Sequence, residues 1–336
     1  MLGKIRKNNL NGLRFSFKLR LGVIGLKALV TGGAGFIGSH LVDRLMEKGF
    51  EVTVLDNFST GSLENLSQHL GKANFHLIEG DIRNERDVKK ALEDIDFVFH
   101  LAAIVSVELS IKNPILVNEV NVCGTLNLLK ESLNGGVKRF VYISSCSVYG
   151  NPIRLPIDEE HPTKPTSPYG ASKLASENYC RVFHEIYGLE TVSLRLFNVY
   201  GSRQAMGPYS GVITKFIDRL KHGKPPIIYG DGEQTRDFIF VDDVVDACLR
   251  AINCKNCVGE SINVGSGMET SINELARIIS GLFGIQKIKP VYTKQRIGEI
   301  RRSCADISKA EKLLGLKPKV SLEEGLRKLV AEACVK

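Results

Sequence analysis

Acidic residues are missing from the first 26 positions, where Lys4, Arg6, Lys7, Arg14, Lys18 and Arg20 stand alone. Six of the eight net positive charges therefore lie in that stretch, and only +2 is left for the body of the 336-residue chain. A body so close to neutral carries no broad electrostatic footprint for nucleic acid. The apolar run from Leu21 to Val30 is broken by Lys27 and is too short to span a bilayer. Cleaving a signal peptide there would cut into the first core strand, and a single Ser is too few for a transit peptide. Residues 1–26 are therefore expected to be a dispensable extension outside the fold. Cys254-Lys255-Asn256-Cys257 has no second cysteine pair and no nearby His, so it lacks the ligands for zinc, and no metal is expected. The eight cysteines are dispersed, which predicts reduced thiols in a cytosol, with the C-x-x-C forming a loop after a helix. Internal repeats and low-complexity tracts are absent too.

A hydrophobic fraction of 43% and a mean hydropathy of -0.03 describe a globule with ample core, of one large or two modest domains. Lys27 to Thr31 is a short apolar run that ends in Gly32-Gly33-Ala34-Gly35-Phe36-Ile37-Gly38, after which Leu41, Val42, Leu45 and Met46 repeat at helical spacing. This strand, glycine turn and helix form the context of a dinucleotide fingerprint. Glycines admit a pyrophosphate, and the helix N-terminus offers N–H groups and positive dipole. A P-loop is excluded because Ser39-His40 follows Gly38 where a Lys is required. The next strand, Glu51 to Leu55, ends in Asp56, a carboxylate suited to a ribose diol and repellent to a 2′-phosphate. Asn57, Phe58, Ser59 and Thr60 supply no cation for such a phosphate, so NAD is expected over NADP.

Further strands are predicted at Phe75–Ile78, Phe97–Leu101, Arg139–Ile143 and Thr191–Phe197, separated by apolar-periodic helices that include 118–129 and 173–186. That alternation predicts an α/β fold, a doubly wound parallel sheet with ligands at the carboxyl ends of its strands. His100, His161 and His184 have no partner pattern and are expected to be structural or surface residues. Ser145 ends the fifth strand. In Ser167-Pro168-Tyr169-Gly170-Ala171-Ser172-Lys173, Pro168 suits a first helical turn, and Tyr169 and Lys173 share a helix face. A nearby ammonium favours phenolate, and bringing a tyrosine from about pH 10 to neutrality takes roughly 4 kcal/mol. After residue 197 the alternation lapses, which predicts a smaller domain, interleaved with the last strands and covering the substrate.

The glycine loop, the Ser145 strand end and Tyr169-x-x-x-Lys173 together resemble the extended short-chain dehydrogenase/reductase superfamily, from about residue 27 to the end. Within it the chain resembles nucleotide-sugar 4-epimerases of the UDP-glucose/UDP-N-acetylglucosamine type. The stretches that carry this are 56–61, 144–150, Leu194 to Gly201 and Gly230 to Phe238. The resemblance implies a Rossmann-type NAD domain at 27–197 and a substrate domain at 198–336. It implies cofactor contacts from Gly32, Gly35, Phe36, Ile37, Gly38, Asp56, Asn57, Ser59, Thr60 and Gly61. Asp81 and Ile82 would hold the adenine, and Leu101, Ala102 and Ala103 the pyrophosphate and ribose. Lys173 would hold the nicotinamide ribose, and Phe197 would lie near the nicotinamide.

Ser145, Tyr169 and Lys173 would be the catalytic residues, with Lys173 keeping Tyr169 acidic. Asn198, Arg236 and Arg296 would grip a nucleotide diphosphate, and Glu299 would touch its ribose, in a turn that departs from the family's proline-glycine-aspartate. Ser303 would be a small gate that admits N-acetylated sugars. Dehydratases and decarboxylases of the superfamily carry carboxylates just after the position of Ser145, where this chain has Cys146 and Ser147. Oxidation and reduction at one carbon remain, as in an epimerase acting on UDP-glucose, UDP-galactose and their N-acetyl forms. The rivals are a UDP-glucuronate 4-epimerase, a reductase releasing NADH, and a non-catalytic NAD-binding protein. The resemblance also implies a homodimer through helices around 105–130 and 170–187, with no nucleic-acid or membrane partner.

Overall fold

A computed structural model describes residues 25–204, 211–285, 289–295 and 300–335. The chain opens with strand β1 (Lys27–Thr31), the glycine turn and helix α1 (Phe36–Glu47), then β2 (Glu51–Asp56), β3 (Phe75–Glu79) and β4 (Phe97–His100). Helix α2 (Gly124–Asn134), β5 (Arg139–Ser145), helix α3 (Pro168–Tyr187) and β6 (Thr191–Leu196) follow. A second stretch runs through β7 (Asn198–Tyr200), α4 (Val212–Lys221), β8 (Ile227–Tyr229), β9 (Thr235–Phe240) and α5 (Val241–Ala251). It continues with β10 (Ser261–Val264), β11 (Glu269–Ser271), α6 (Ile272–Leu282), β12 (Val291–Thr293), a short helix at Ser308–Leu314 and α7 (Leu322–Val335).

Seven strands form one sheet in the order β10-β6-β5-β4-β1-β2-β3, and every pairing is parallel. The expected doubly wound α/β sheet is thus present. Successive residues of a strand face opposite sides. Val30, Val54, Phe99 and Val141 accordingly pack against α1 and α5, while Leu29, Leu55, Val98 and Tyr142 pack against α2 and α3. The order reverses between β1 and β4, so a crevice opens at their carboxyl ends. Beyond β6, Tyr200, Phe216, Ile228, Phe238, Leu275 and Leu326 build a separate apolar cluster. The three-stranded sheet β11-β9-β7 runs past it, and β10 returns to the edge of the large sheet.

Several expectations need correction. Leu26, assigned above to the extension, is buried in the core, and its carbonyl accepts from the Glu51 N–H at 3.0 Å. Residues 1–24 lie outside the described residues. The helix expected over 118–129 is instead a short helix at Pro114–Asn118, a wide π-turn at Glu119–Cys123, and then α2. The extra residue in that turn leaves the Asn121 carbonyl accepting from Thr125 Oγ1 at 2.5 Å and Ser176 Oγ at 2.7 Å. Cys254 and Cys257 are joined as a disulfide, so the expectation of reduced thiols fails at this pair. The turn at Lys255–Cys257 brings their Cα atoms to 5.4 Å, within bridging range. No helix among the described residues is long and apolar enough to cross a membrane.

Candidate active site

Two helix N-termini and two strand ends converge on the crevice. At the first, Gly32 takes a φ of +71°, and a Cβ on it would lie 2.8 Å from the Ala102 nitrogen. A Cβ on Gly38 would lie 2.2 Å from the Gly32 carbonyl oxygen. Only glycine lets α1 start this close to the turn and leaves the loop backbone bare for a phosphate. Thr31 and His100, both buried, tie the base of this loop to the end of β4: their Oγ1 and Nδ1 are 2.8 Å apart, and Ala102 N donates to Thr31 Oγ1 at 3.3 Å. Leu101, Ala102 and Ala103 are half-buried beside the turn.

The Asp56 carboxylate is buried at the end of β2, where it accepts from the N–H groups of Ala34 and Phe58, each at 2.9 Å. It thereby clamps the glycine turn to the loop carrying Asn57, Ser59, Thr60 and Gly61. Gly61 packs so closely on Ala34 that a Cβ there would fall 2.9 Å away. Asn57 Nδ2 donates to Asp81 at 3.0 Å, and Arg83 pairs with the same carboxylate through Nε at 3.0 Å and an Nη at 2.8 Å. The guanidinium, foremost among these donors, pulls the Asp81 carboxyl down to about 2. Arg83 was missed from the sequence, where only Asp81 and buried Ile82 were singled out. A groove of about 450 Å³ lined by Asp81, Arg83, Asn84, Glu119 and Cys123 lies alongside.

The second convergence is Ser145 with Tyr169. Ser145 ends β5, and its Oγ accepts from Ser147 N at 3.2 Å, capping the turn that follows. Its hydroxyl also lies close enough to the Tyr169 phenol to favour the phenolate against burial. Tyr169 sits in the first turn of α3, with Pro168 before it and Ser167 Oγ accepting from Gly170 N at 3.1 Å. Lys173 is buried one turn on, and its ammonium donates to the Ile143 carbonyl at 2.8 Å. The expected acidic phenol is not found in the protein groups alone. Burial pushes Tyr169 up to about 12, against the pull of Ser145, and pushes Lys173 down to about 7. Desolvation penalises the charged form of each, and the ammonium is turned toward a backbone carbonyl.

Asn121 was not recognised in the sequence, although a lone polar residue on the buried face of a periodic segment was a usable signal. Its side chain binds both backbone groups of Ile104 at 2.8 and 3.0 Å and donates to Ser172 Oγ at 2.9 Å, fixing the loop after β4 to α3. A second missed group lies beneath Ser145. Buried Glu177 accepts from Ser144 Oγ at 2.7 Å, from Ser261 Oγ at 2.9 Å and from Arg195 Nε at 3.1 Å. Arg195 also donates to the Tyr149 hydroxyl at 2.8 Å, and that hydroxyl donates to Asn263 at 2.6 Å.

On the far side of the crevice, Phe197 is buried and Asn198 Nδ2 donates to the Asp237 carbonyl at 3.3 Å. Arg236 is half-buried, with an Nη held by the carbonyls of Thr235 at 2.7 Å and Ile300 at 2.8 Å. Its positive field reaches the Cys146 thiol, although burial dominates there and holds the thiol at about 11. Asp237 is fully buried, its carboxylate taken up by Ser266, Gly267 N and Ala305 N. Ser303 is buried two residues before Ala305. Arg296 and Glu299 lie outside the described residues. The residues present fit a dinucleotide: a cradle closed to any Cβ, a helix N-terminus for phosphates, and a strand-end carboxylate with no cation beside it on its loop.

The family model described as GDP-mannose 4,6 dehydratase matches residues 29–329. A putative UDP-glucose 4-epimerase of Methanocaldococcus jannaschii is 45% identical over 304 residues, covering 90% of this chain and 96% of the relative. The crystal structure of a Thermotoga maritima UDP-glucose 4-epimerase with UDP-glucose superposes with a TM-score of 0.87 at 40% identity, covering 93% of this chain and all of that one. A Thermus thermophilus UDP-glucose 4-epimerase in complex with NAD gives 0.83 at 35% identity, covering 92% and 99%. The glycine cradle, the Ser145–Tyr169 pair and these likenesses agree: the chain belongs to the NAD-dependent nucleotide-sugar epimerases and dehydratases of the extended short-chain dehydrogenase/reductase superfamily.

Proposed function

We propose that this enzyme is a UDP-sugar 4-epimerase that interconverts UDP-glucose with UDP-galactose and also accepts their N-acetylhexosamine forms. The observation that carries this reading is the Ser145 hydroxyl set beside the Tyr169 phenol, with Cys146 and Ser147 next to it. Tyr169 would shuttle one proton, and neither neighbour is a carboxylic acid that could drive elimination. The carboxylate whose field does reach Cys146, that of Asp237, is already engaged by four backbone and hydroxyl donors.

In this reading Gly32, Gly35, Phe36, Ile37 and Gly38 hold the pyrophosphate, Asp56 to Gly61 the adenosine ribose, and Asp81 and Ile82 the adenine. Bound NAD supplies a hydride acceptor that becomes the donor on return, and a positive ring next to the tyrosine. Tyr169 takes the proton of the sugar 4-hydroxyl, and Ser145 steadies the oxygen as it becomes a ketone. Lys173 stabilises the phenolate with its ammonium. Arg236 and Asn198, joined by Arg296, keep the diphosphate tethered while the keto sugar turns over, so that it is reduced from its other face. Phe197 closes the pocket beneath the reacting ring, and Ser303 leaves space for an acetamido group.

Residues 198–336 act as the substrate-binding part, apart from β10, which completes the large sheet. Val107, Ile111 and Ile115 are exposed, as are Ile186 and Tyr187 at the end of α3, and we assign these apolar side chains to contact with a second copy of the chain. The test is product analysis on UDP-glucose, UDP-N-acetylglucosamine and UDP-glucuronate without added NAD, with Tyr169→Phe alongside. Formation of the 4-epimers, abolished by Tyr169→Phe, is expected. A 4-keto-6-deoxy sugar, a pentose product or undiminished turnover by Tyr169→Phe would refute the reading.

A further inference from the structure

Lys173 is buried, yet among the described residues no carboxylate pairs with it. Two successive residues of β5 hold its ammonium instead. The Ile143 carbonyl accepts from Nζ at 2.8 Å, and Nζ stands 5.1 Å from the centroid of the Tyr142 ring. Tyr142 is itself fully buried and braced by His100, whose ring lies 5.7 Å away. The negative face of an aromatic ring attracts a cation, and more strongly where water is excluded. We propose that Tyr142 is a positioning residue for the reaction: its ring face holds the Lys173 ammonium in place and keeps it charged.

The other groups around the ammonium do not take this part. His100, on β4, is held neutral by burial down to about 3. Cys180, on α3, is a thiol that burial keeps protonated. Glu177, one turn beyond Lys173, is engaged by Arg195 of β6 and by two hydroxyls. The Cys146 thiol is held at about 11, and Tyr169 is the group that the ammonium serves. Burial raises the Tyr142 hydroxyl well above its ordinary value, so its ring stays that of a neutral phenol. Burial brings Lys173 to about 7, and without the ring only the Ile143 carbonyl and Cys180 would oppose it. The ammonium would then be lost within the working range, and Tyr169 would lose its support.

The inference rests on the epimerase reading for its purpose, but its test does not need turnover. In the full-length holoenzyme with ¹³Cε-labelled lysine, Lys173 is assigned by its disappearance in Lys173→Arg and titrated. In Tyr142→Leu its midpoint should fall by about one unit, a tenfold change in the protonation constant. The alkaline limb of kcat on UDP-glucose should move down with it, while KM stays the same. Tyr142→Phe keeps the ring and should restore both. If Tyr142→Leu does not fold, mono-, di- and trifluorophenylalanine at position 142 drain the ring face without changing its shape, and the midpoint should fall stepwise. An unchanged Lys173 midpoint in Tyr142→Leu, or across the fluorinated series, would overturn the proposal. A wild-type protein inactive on every UDP-sugar would sink the epimerase reading and leave the titration decisive.

Discussion

Replacing Glu177 by methionine should destabilise the protein far more than replacing Glu177 and Arg195 together. Both residues are buried, at 5% and 6% exposure. With the carboxylate gone, Arg195 keeps the Tyr149 hydroxyl at 2.8 Å and the Glu159 carbonyl at 3.2 Å, and the Glu159 carboxylate acts on it through space without a hydrogen bond. Ser144 and Ser261 also lose the acceptor they now share. Breaking a buried ion pair by removing one partner costs about 3–5 kcal/mol. Spread over the unfolding entropy of a chain this long, that is a fall in Tm of roughly 5–8 °C. The pair Glu177→Met/Arg195→Met removes both charges and fills the space with apolar atoms, so it should recover most of the loss. Thermal and urea unfolding of the four proteins, at one fixed excess of NAD, gives the coupling energy, expected to be at least about 2 kcal/mol. A double variant whose loss equals the sum of the two single losses would show that the charges do not depend on each other. Because Ser144 precedes Ser145, the single variant should also lower kcat while leaving NAD content unchanged.

Gly38→Ala should lose bound NAD, since its Cβ would fall 2.2 Å from the Gly32 carbonyl oxygen; cofactor released on denaturation measures this, and full retention would contradict the cradle. His100 should contribute a pH dependence. Its folded-state value of about 3 lies below the 6.5 of the free side chain, so the unfolded chain takes the proton first and stability falls as pH drops from about 6.5 toward 3. By linkage this loss reaches on the order of 5 kcal/mol, and His100→Gln should flatten that part of the curve in urea unfolding at stepped pH. Ser303→Tyr should abolish turnover of UDP-N-acetylglucosamine while sparing UDP-glucose, and equal loss on both would remove Ser303 from the gate.

Features that depend on neighbours in the chain were legible in the sequence. The first six strands, the glycine turn and the Pro168 helix start came from local apolar patterning and turn chemistry, and each lies within a residue or two of its expected place. What escaped depends on distant partners. Glu177 looks like any surface acid on an amphipathic helix until β6 places Arg195 against it and β10 adds Ser261. Tyr149 meets Asn263 across 114 residues. The π-turn at 119–123 preserves the apolar rhythm well enough to read as plain helix, yet it is what turns Asn121 inward. The direction of the Lys173 side chain was also invisible. Helical spacing placed it on the face of Tyr169, but the Ile143 carbonyl and the Tyr142 ring decide where its ammonium rests.

The most direct test of inversion at C4 follows a label. UDP-galactose carrying deuterium at C4 is converted by the enzyme in ordinary water, without added NAD, and the product is read by NMR. Hydride removal and return at one carbon predicts UDP-glucose with deuterium still at C4 and turnover slowed by the heavier isotope. Deuterium washed out to solvent, or found at C6, would contradict the account.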